Sequence, residues 1–264
     1  MKVHHLNCGT MRPPGAAVVC HVLLIETDDG LVLVDSGYGL ADLADPGKRL
    51  GGTRHLMRPA LDPAETAVRQ VEQLGFTAAD VRHILLTHLD ADHAGGIADF
   101  PDAQVHTTAA EWTAARNPAT AIERARYRPV VWAHGPRVVT HEPQGEAWRG
   151  FPAARPLDEV APGIAMIALP GHTRGHAAYA VELDDRTVLH AGDAFYHHSI
   201  VDGQGRQPAL LTVMERLVAH DFAQVQDNHA RLAELHRDPT TGVTVVSAHD
   251  PDLLAEVRSA AGAP

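Results

Sequence analysis

The sequence predicts an α/β fold of four layers, an αββα sandwich in which two packed mixed sheets carry helices on their outer faces. Two observations lead there. Apolar, β-branched runs alternate with helical patterns throughout the 264 residues, and each half brings a strand pair followed by a helix, so each sheet needs a second sheet on one face and helices on the other. No low-complexity tract, charge block or short repeat interrupts the chain, which reads as a single domain over residues 1–264.

The elements follow in order. Val18 to Glu26 and Leu31 to Gly37 are apolar runs joined by Thr27-Asp28-Asp29-Gly30, a sequence with hairpin-turn chemistry, and are expected to pair. From Asp62 to Gly75 a helix is expected: Asp62 caps it, Pro63 takes the first position, Glu65 completes a capping box and Gly75 ends it. Its Ala64, Ala67, Val68, Val71 and Leu74 share one face, which should pack on a sheet. RHILLTH reads as a buried strand, and Asp90 to Gly96 as a loop that turns into another element. The stretch from about Thr107 to Pro162 breaks the rhythm, is rich in Pro and Arg, holds Trp112, Trp132 and Trp148, and is expected to be an insertion or cap. GIAMIALPGH, HAAYAVEL, TVLHAGD and GVTVVSAHD are each a strand followed by a loop. Leu210 to Arg237 and Asp252 to Ala260 have helical periodicity.

Composition narrows the function. With 22 basic and 33 acidic residues the formal charge is −11, and no basic run offsets it, which argues against nucleic acid as a partner. No apolar stretch is long enough to span a bilayer and the N-terminus lacks a secretory pattern, so no membrane partner and a cytoplasmic location are expected. Cys8 and Cys20 are too few for a disulfide framework and form no thiolate metal knuckle; they read as small buried residues or unpaired thiols. Nineteen histidines, an unusually large share, raise the expectation of a metal site.

The decisive stretch is THLDADHAGG, Thr87 to Gly96. His88, Asp90, Asp92 and His93 offer four ligand-capable side chains in six residues, and adjacent Asp92 and His93 cannot easily converge on the ion that takes His88 and Asp90. Three further candidates follow apolar strands, next to small residues that let backbone and metal approach: His172 in LPGHTRGH, Asp193 in LHAGDAFY and His249 in VSAHD. Seven such side chains suit two ions sharing a carboxylate.

Through five ordered motifs, LVLVDSG, HLDADHAGG, PGHTRGH, AGD and SAHD, the chain resembles the metallo-β-lactamase-fold superfamily of metal-dependent hydrolases over most of its length. The resemblance implies that His88, Asp90 and His172 hold one ion and Asp92, His93 and His249 the second. Asp193 would bridge the two, and Asp35 would orient the metal loops. The family's usual HxHxDH is HxDxDH here, with Asp90 in place of a histidine. That makes the first site harder and more anionic, so iron or manganese becomes compatible beside zinc, the default for two divalent ions.

Two close ions can lower the pKa of water from about 15.7 to about 7, share the resulting hydroxide and polarise the carbonyl it attacks. A serine nucleophile is unnecessary, and no GxSxG elbow occurs. Asp92 is expected to carry a proton to the leaving group. Tyr196, three residues after Asp193, is spaced as in the N-acyl homoserine lactone lactonases, where the matching tyrosine hydrogen-bonds the substrate carbonyl. The expected reaction is therefore hydrolysis of a lactone or carboxylic ester of a small molecule. His176 is expected to support the His172 loop, one of His197 and His198 to reach the pocket, and Trp132 with His134 to close over substrate. The other histidines are expected to be structural or solvent-facing. A homodimer through the Trp-bearing stretch is compatible with the sequence. Three rival readings follow from the same fold. An iron-dependent oxidoreductase would need a flavin domain where only a short tail follows Ala248, a phosphodiesterase would need a basic patch, and a metal-binding scaffold without turnover would leave a full ligand set unused.

Overall fold

The computed structural model describes residues 1–260. The first sheet runs, in spatial order, β1 (Lys2–Met11), β2 (Val18–Thr27), β3 (Gly30–Val34), β4 (Val81–Leu85), β5 (Gln104–Thr108) and β6 (Arg137–His141). It is antiparallel as far as β3 and parallel beyond. The second contains β7 (Glu146–Trp148), β8 (Phe151–Pro156), β9 (Ile164–Ala168), β10 (Ala177–Glu182), β11 (Thr187–His190) and β12 (Val243–Val246), again neighbours in chain order. Only β11 and β12 pair in parallel there. Helices α1 (Leu40–Ala44), α2 (Pro46–Leu50), α3 (Thr53–Met57), α4 (Ala67–Gln73), α5 (Ala91–Ala94), α6 (Ala109–Arg116) and α7 (Ala121–Arg126) belong to the first half, and α8 (Ala209–Val218), α9 (Phe222–Arg237) and α10 (Pro251–Ala260) to the second.

The period of two along β2 and β3 creates the layers. Leu23, Ile25, Val32 and Val34 pack with Met166, Tyr179 and Val181 between the sheets. Their neighbours Val22, Leu24, Leu31 and Leu33 pack outward with Val68 and Val71 of α4. On the far side, Leu189 and Val245 meet Leu232 and Leu235 of α9 and Leu253 of α10. Each such side chain taken from water contributes roughly 1.5–3 kcal/mol, so strands buried on both faces hold the four layers together. The β2–β3 turn closes with Thr27 opposite Gly30, whose φ of 126° and 2.9 Å approach of a would-be Cβ to the Asp80 carbonyl oxygen suit glycine.

Four expectations change. Lys2–Met11, to which the sequence assigned no element, forms β1. The helix expected from Asp62 to Gly75 is split: Pro63–Glu65 is a 3-10 turn, Thr66 is extended with ψ of 142°, and α4 starts at Ala67. Asp62 does accept from the Ala64 amide, but Glu65 turns away from its cap to take the Thr10 amide and hydroxyl at 2.7 and 2.6 Å. Leu210 to Arg237 is two helices, because the chain leaves the helix at Ala219 and Asp221, where the amides of His220 and Asp221 bond the carbonyls of His172 and Gly171. Residues 107–162 are only partly a cap. They complete β5, supply β6 and β7, which are edge strands of the two sheets, and add β8 beside β7, while α6, α7 and a 3-10 turn at Pro129–Val131 stand outside that framework. Trp112 and Trp132 pack edge to face at 6.0 Å against the first sheet's helical side.

Candidate metal centre

The seven side chains singled out in the sequence converge at one end of the sandwich, each from a turn that follows a strand: β4 leads to His88, β9 to His172, β11 to Asp193 and β12 to His249. The Asp90 to Gly96 stretch, expected as a loop that turns into another element, is a helical turn with Asp90 at its N-cap position, running into a 3-10 segment, Gly95–Asp99. That turn directs Asp92 and His93 together. The paired glycines fit it to the turn after β3: a Cβ on Gly95 would lie 2.0 Å from Asp42 Oδ2, and one on Gly96 would lie 2.6 Å from the Ser36 carbonyl oxygen.

Four atoms form a first cage. Asp90 Oδ2 lies 3.4 Å from both His88 Nε2 and His172 Nε2, and Asp193 Oδ2 lies 3.8 and 3.4 Å from the same nitrogens. A tetrahedral ion with bonds of 2.0–2.1 Å would need ligand separations of about 3.3–3.4 Å. In the second cage His93 Nε2 and His249 Nε2 stand 3.8 and 3.6 Å from Asp92 Oδ2, and 3.1 and 3.2 Å from Asp193 Oδ1. Asp193 thus turns one oxygen to each cage. His88 Nε2, His93 Nε2, Asp90 Oδ1 and Asp193 Oδ1 are buried without a hydrogen-bond partner, a costly arrangement that a cation would relieve. The donor set fits two divalent ions.

Every cage histidine is oriented by its other nitrogen. His249 Nδ1 donates to the Val19 carbonyl at 2.8 Å, and His93 Nδ1 to Asp35 Oδ2 at 2.8 Å. His88 Nδ1 is 3.0 Å from Thr87 Oγ1, whose hydroxyl in turn donates to Asp35. His172 Nδ1 lies 3.3 Å from the Tyr196 hydroxyl. Asp35, at φ 60°, also accepts the Thr87 amide at 2.8 Å, so one buried carboxylate ties the turn after β3 to both cages. His176 accepts the Asp193 amide through Nε2 and bonds the Leu169 carbonyl through Nδ1.

Charge follows geometry. Burial opposes ionisation of Asp193, but the surrounding His249, His93, His172 and His88 outweigh it and hold the carboxyl well below the usual range. Burial likewise works against protonated His93 and His249, yet Asp193 and its fellow carboxylates raise the first well above normal and the second to about 8. In the ion-free chain, protons on these rings stand where cations would. His172 goes the other way, lowered to about 3 by burial and then by Arg126.

A cavity of about 350 Å³ opens onto the cages, with Asp90, Asp92, His172, Asp193, Tyr196 and His249 in its wall. The remaining wall is largely apolar and includes Val18, Leu50, Met57, Ile122, Met214 and Leu217. Trp132 and His134 do not reach it; Trp132 is committed to Trp112. Neither His197 nor His198 lines it: the first bonds Ser199 and the second Asp202, both at 2.8–2.9 Å. Those two rings do gather beside Asp250, but Asp250 already accepts the amides of His198, Asp252 and Leu253.

Two residues of the site carried no signal in the sequence. Glu111 of α6, fully buried, accepts the Leu89 and Gly175 amides at 3.0 and 3.2 Å and the Tyr127 and Thr173 hydroxyls at 3.1 and 2.7 Å. It fastens the turn after β4 to the His172 loop. Arg126 of α7 reaches the first cage itself, with Nη1 2.8 Å from Asp90 Oδ2 and 2.6 Å from His172 Nε2. Their partners lie far away in the chain.

Two packed sheets with such a histidine and aspartate centre are the equipment of a metal-dependent hydrolase. The chain belongs to the metallo-beta-lactamase superfamily, whose profile matches residues 15–224. It is 55% identical to a probable metallo-hydrolase of Mycobacterium tuberculosis over 99% of this chain and 84% of that protein. It is 27% identical to the N-acyl homoserine lactonase AttM of Agrobacterium fabrum over 98% of this chain and 92% of that one. In fold it matches an N-acyl homoserine lactone hydrolase solved with N-hexanoyl-L-homoserine at its catalytic metal centre. That match has a TM-score of 0.71 at 20% identity and covers 97% and 95% of the two chains. No helix among the described residues is long and apolar enough to cross a membrane.

Proposed function

We propose that this chain is a dinuclear metal-dependent hydrolase that opens a lactone or cleaves a carboxylic ester of a small molecule bearing an apolar tail. The observation that carries the reading is Asp193, whose two oxygens each face a pair of histidine Nε2 atoms at 3.1–3.8 Å. His88, Asp90 and His172 would complete the ligands of one ion, and Asp92, His93 and His249 those of the other. When bound, the pair would supply a water-derived nucleophile near neutral pH and polarise the carbonyl under attack.

The chain's own groups do the rest. With Nε2 of His172 turned to the cage, its Nδ1–H points to the Tyr196 oxygen at 3.3 Å, so the phenol keeps its own proton free for a substrate oxygen. Burial and then Asp193 push the Tyr196 pKa well above its ordinary value, which keeps the group a neutral donor suited to a developing oxyanion. Asp92, partly exposed in the cavity wall, would carry a proton to the departing alkoxide. The apolar wall favours an acyl or alkyl chain, and the lactonase relatives favour a lactone ring at its head.

The test is elemental analysis of protein purified without chelator, with turnover of homoserine lactones and aryl esters by the same sample. The expected result is close to two divalent ions per chain and hydrolysis that is lost, together with ion retention, in Asp193→Ala. About one iron per chain with oxygen uptake and no hydrolysis would replace this reading with the redox one.

A further inference from the structure

Arg126 does not belong to the ligand set, yet it sits on it. Its side chain is 7% exposed, and Nη2 is anchored on the Val218 carbonyl at 2.5 Å. Nη1 bonds Asp90 Oδ2 and His172 Nε2, the two atoms that form one 3.4 Å edge of the first cage. It makes no hydrogen bond to His88 Nε2, which has none. The guanidinium therefore covers one edge of the cage from outside and leaves the His88 apex open. Among the described residues no arginine or lysine is paired with the second cage: His93 Nε2 has no hydrogen-bond partner, and the His249 ring bonds outward through Nδ1.

The two cages thus differ in fixed charge: a proton on a ring of the second leaves as an ion enters, whereas the guanidinium stays tethered beside the first. A cation among the four atoms of the first must share Asp90 and His172 with a fixed positive charge that already satisfies them, in a buried setting where like charges repel strongly. Position 90 holds a carboxylate, and Arg126 is its matching charge. We infer that Arg126 is a tethered counter-cation of the first cage, which holds Asp90 and His172 until an ion displaces its bonds. Metal accordingly loads in order, the Asp92, His93 and His249 cage first and the His88, Asp90 and His172 cage second. This rests on the dinuclear reading.

The experiment titrates the stripped full-length chain with zinc against a chromophoric chelator, and repeats the titration with cobalt to follow its visible absorption. The wild type is expected to give two separated dissociation constants. In Arg126→Gln the weaker one should tighten on the order of 10-fold or more while the tighter one stays within about 2-fold. Arg126→Lys, which keeps the charge, should stay near the wild type in both. Asp90→His strips Arg126 of its anion, so it should loosen the weaker site when Arg126 is present and recover when combined with Arg126→Gln. That coupling separates competition from a folding defect, which would raise both dissociation constants in every variant. A weaker site that is unchanged or loosened by Arg126→Gln would overturn the inference and make the guanidinium a support for Asp90. Fewer than two ions bound by every form would instead defeat the dinuclear reading and this inference with it.

Discussion

Acid should loosen this protein through a histidine outside the ligand set. His83, His106 and His141 lie side by side on β4, β5 and β6, with His83 Nδ1 2.9 Å from His106 Nε2 and His106 Nδ1 2.9 Å from His141 Nε2. His106, in the middle, is 1% exposed. Burial, and then the two neighbouring rings, lower its pKa from 6.5 to about 3. The folded chain keeps the ring neutral, donating one hydrogen bond and accepting one, whereas the unfolded chain protonates it near its ordinary value. Its contribution is therefore complete above pH 6.5 and lost as the pH falls toward 3. At pH 5 the unfolded state has gained roughly one and a half pH units of proton binding that the folded state refuses, a loss of about 2 kcal/mol relative to pH 8. His106→Gln keeps one donor and one acceptor and does not titrate. Urea denaturation of wild type and variant at pH 8 and pH 5 isolates the effect of this histidine row, because titrations elsewhere cancel in the difference. At pH 8 the variant should be less stable by about 1 kcal/mol from imperfect hydrogen bonds. At pH 5 the gap should move in the variant's favour by about 2 kcal/mol. A gap of the same size at both pH values would show that the fold does not hold His106 neutral.

Two further outcomes follow from the centre. Tyr196→Phe removes the phenolic proton but not the ring, so kcat should fall on the order of 100-fold while ion content by elemental analysis stays at the wild-type level; an unchanged kcat would remove Tyr196 from the reaction. Glu111→Gln puts an NH2 group where the carboxylate accepts four hydrogen bonds. It should cost about 2–4 kcal/mol in denaturation and loosen ion binding in the His172 loop, and retention of both would mean that the two loops do not depend on this link.

What could be read in advance was local. THLDADHAGG, AGD and SAHD each place ligand atoms within a few residues of a strand end, and the strand fixes where those atoms project. The apolar runs of β2 and β3 declare themselves because both of their faces are buried. β1 does not, because His4, His5, Asn7 and Thr10 dilute its pattern and its place depends on pairing with β2. The break at Thr66 was equally hidden, since the capping signal at Glu65 was outbid by Thr10, 55 residues away.

The site's hidden members share that origin, which bears on how its specificity arises. Arg126 meets Asp90 and His172 across 36 and 46 residues, and Glu111 meets Gly175 across 64. Both come from α6 and α7, in the connection between β5 and β6 of the first sheet. The ligand turns are set by strands that the core cannot release, so the chemistry of the ions is tied to the fold. Arg126 stands on a six-residue helix whose Ile122 and Ala125 line the cavity. A shift of that helix would alter the charge on the first cage and the shape of the apolar wall together, leaving the second cage as it is.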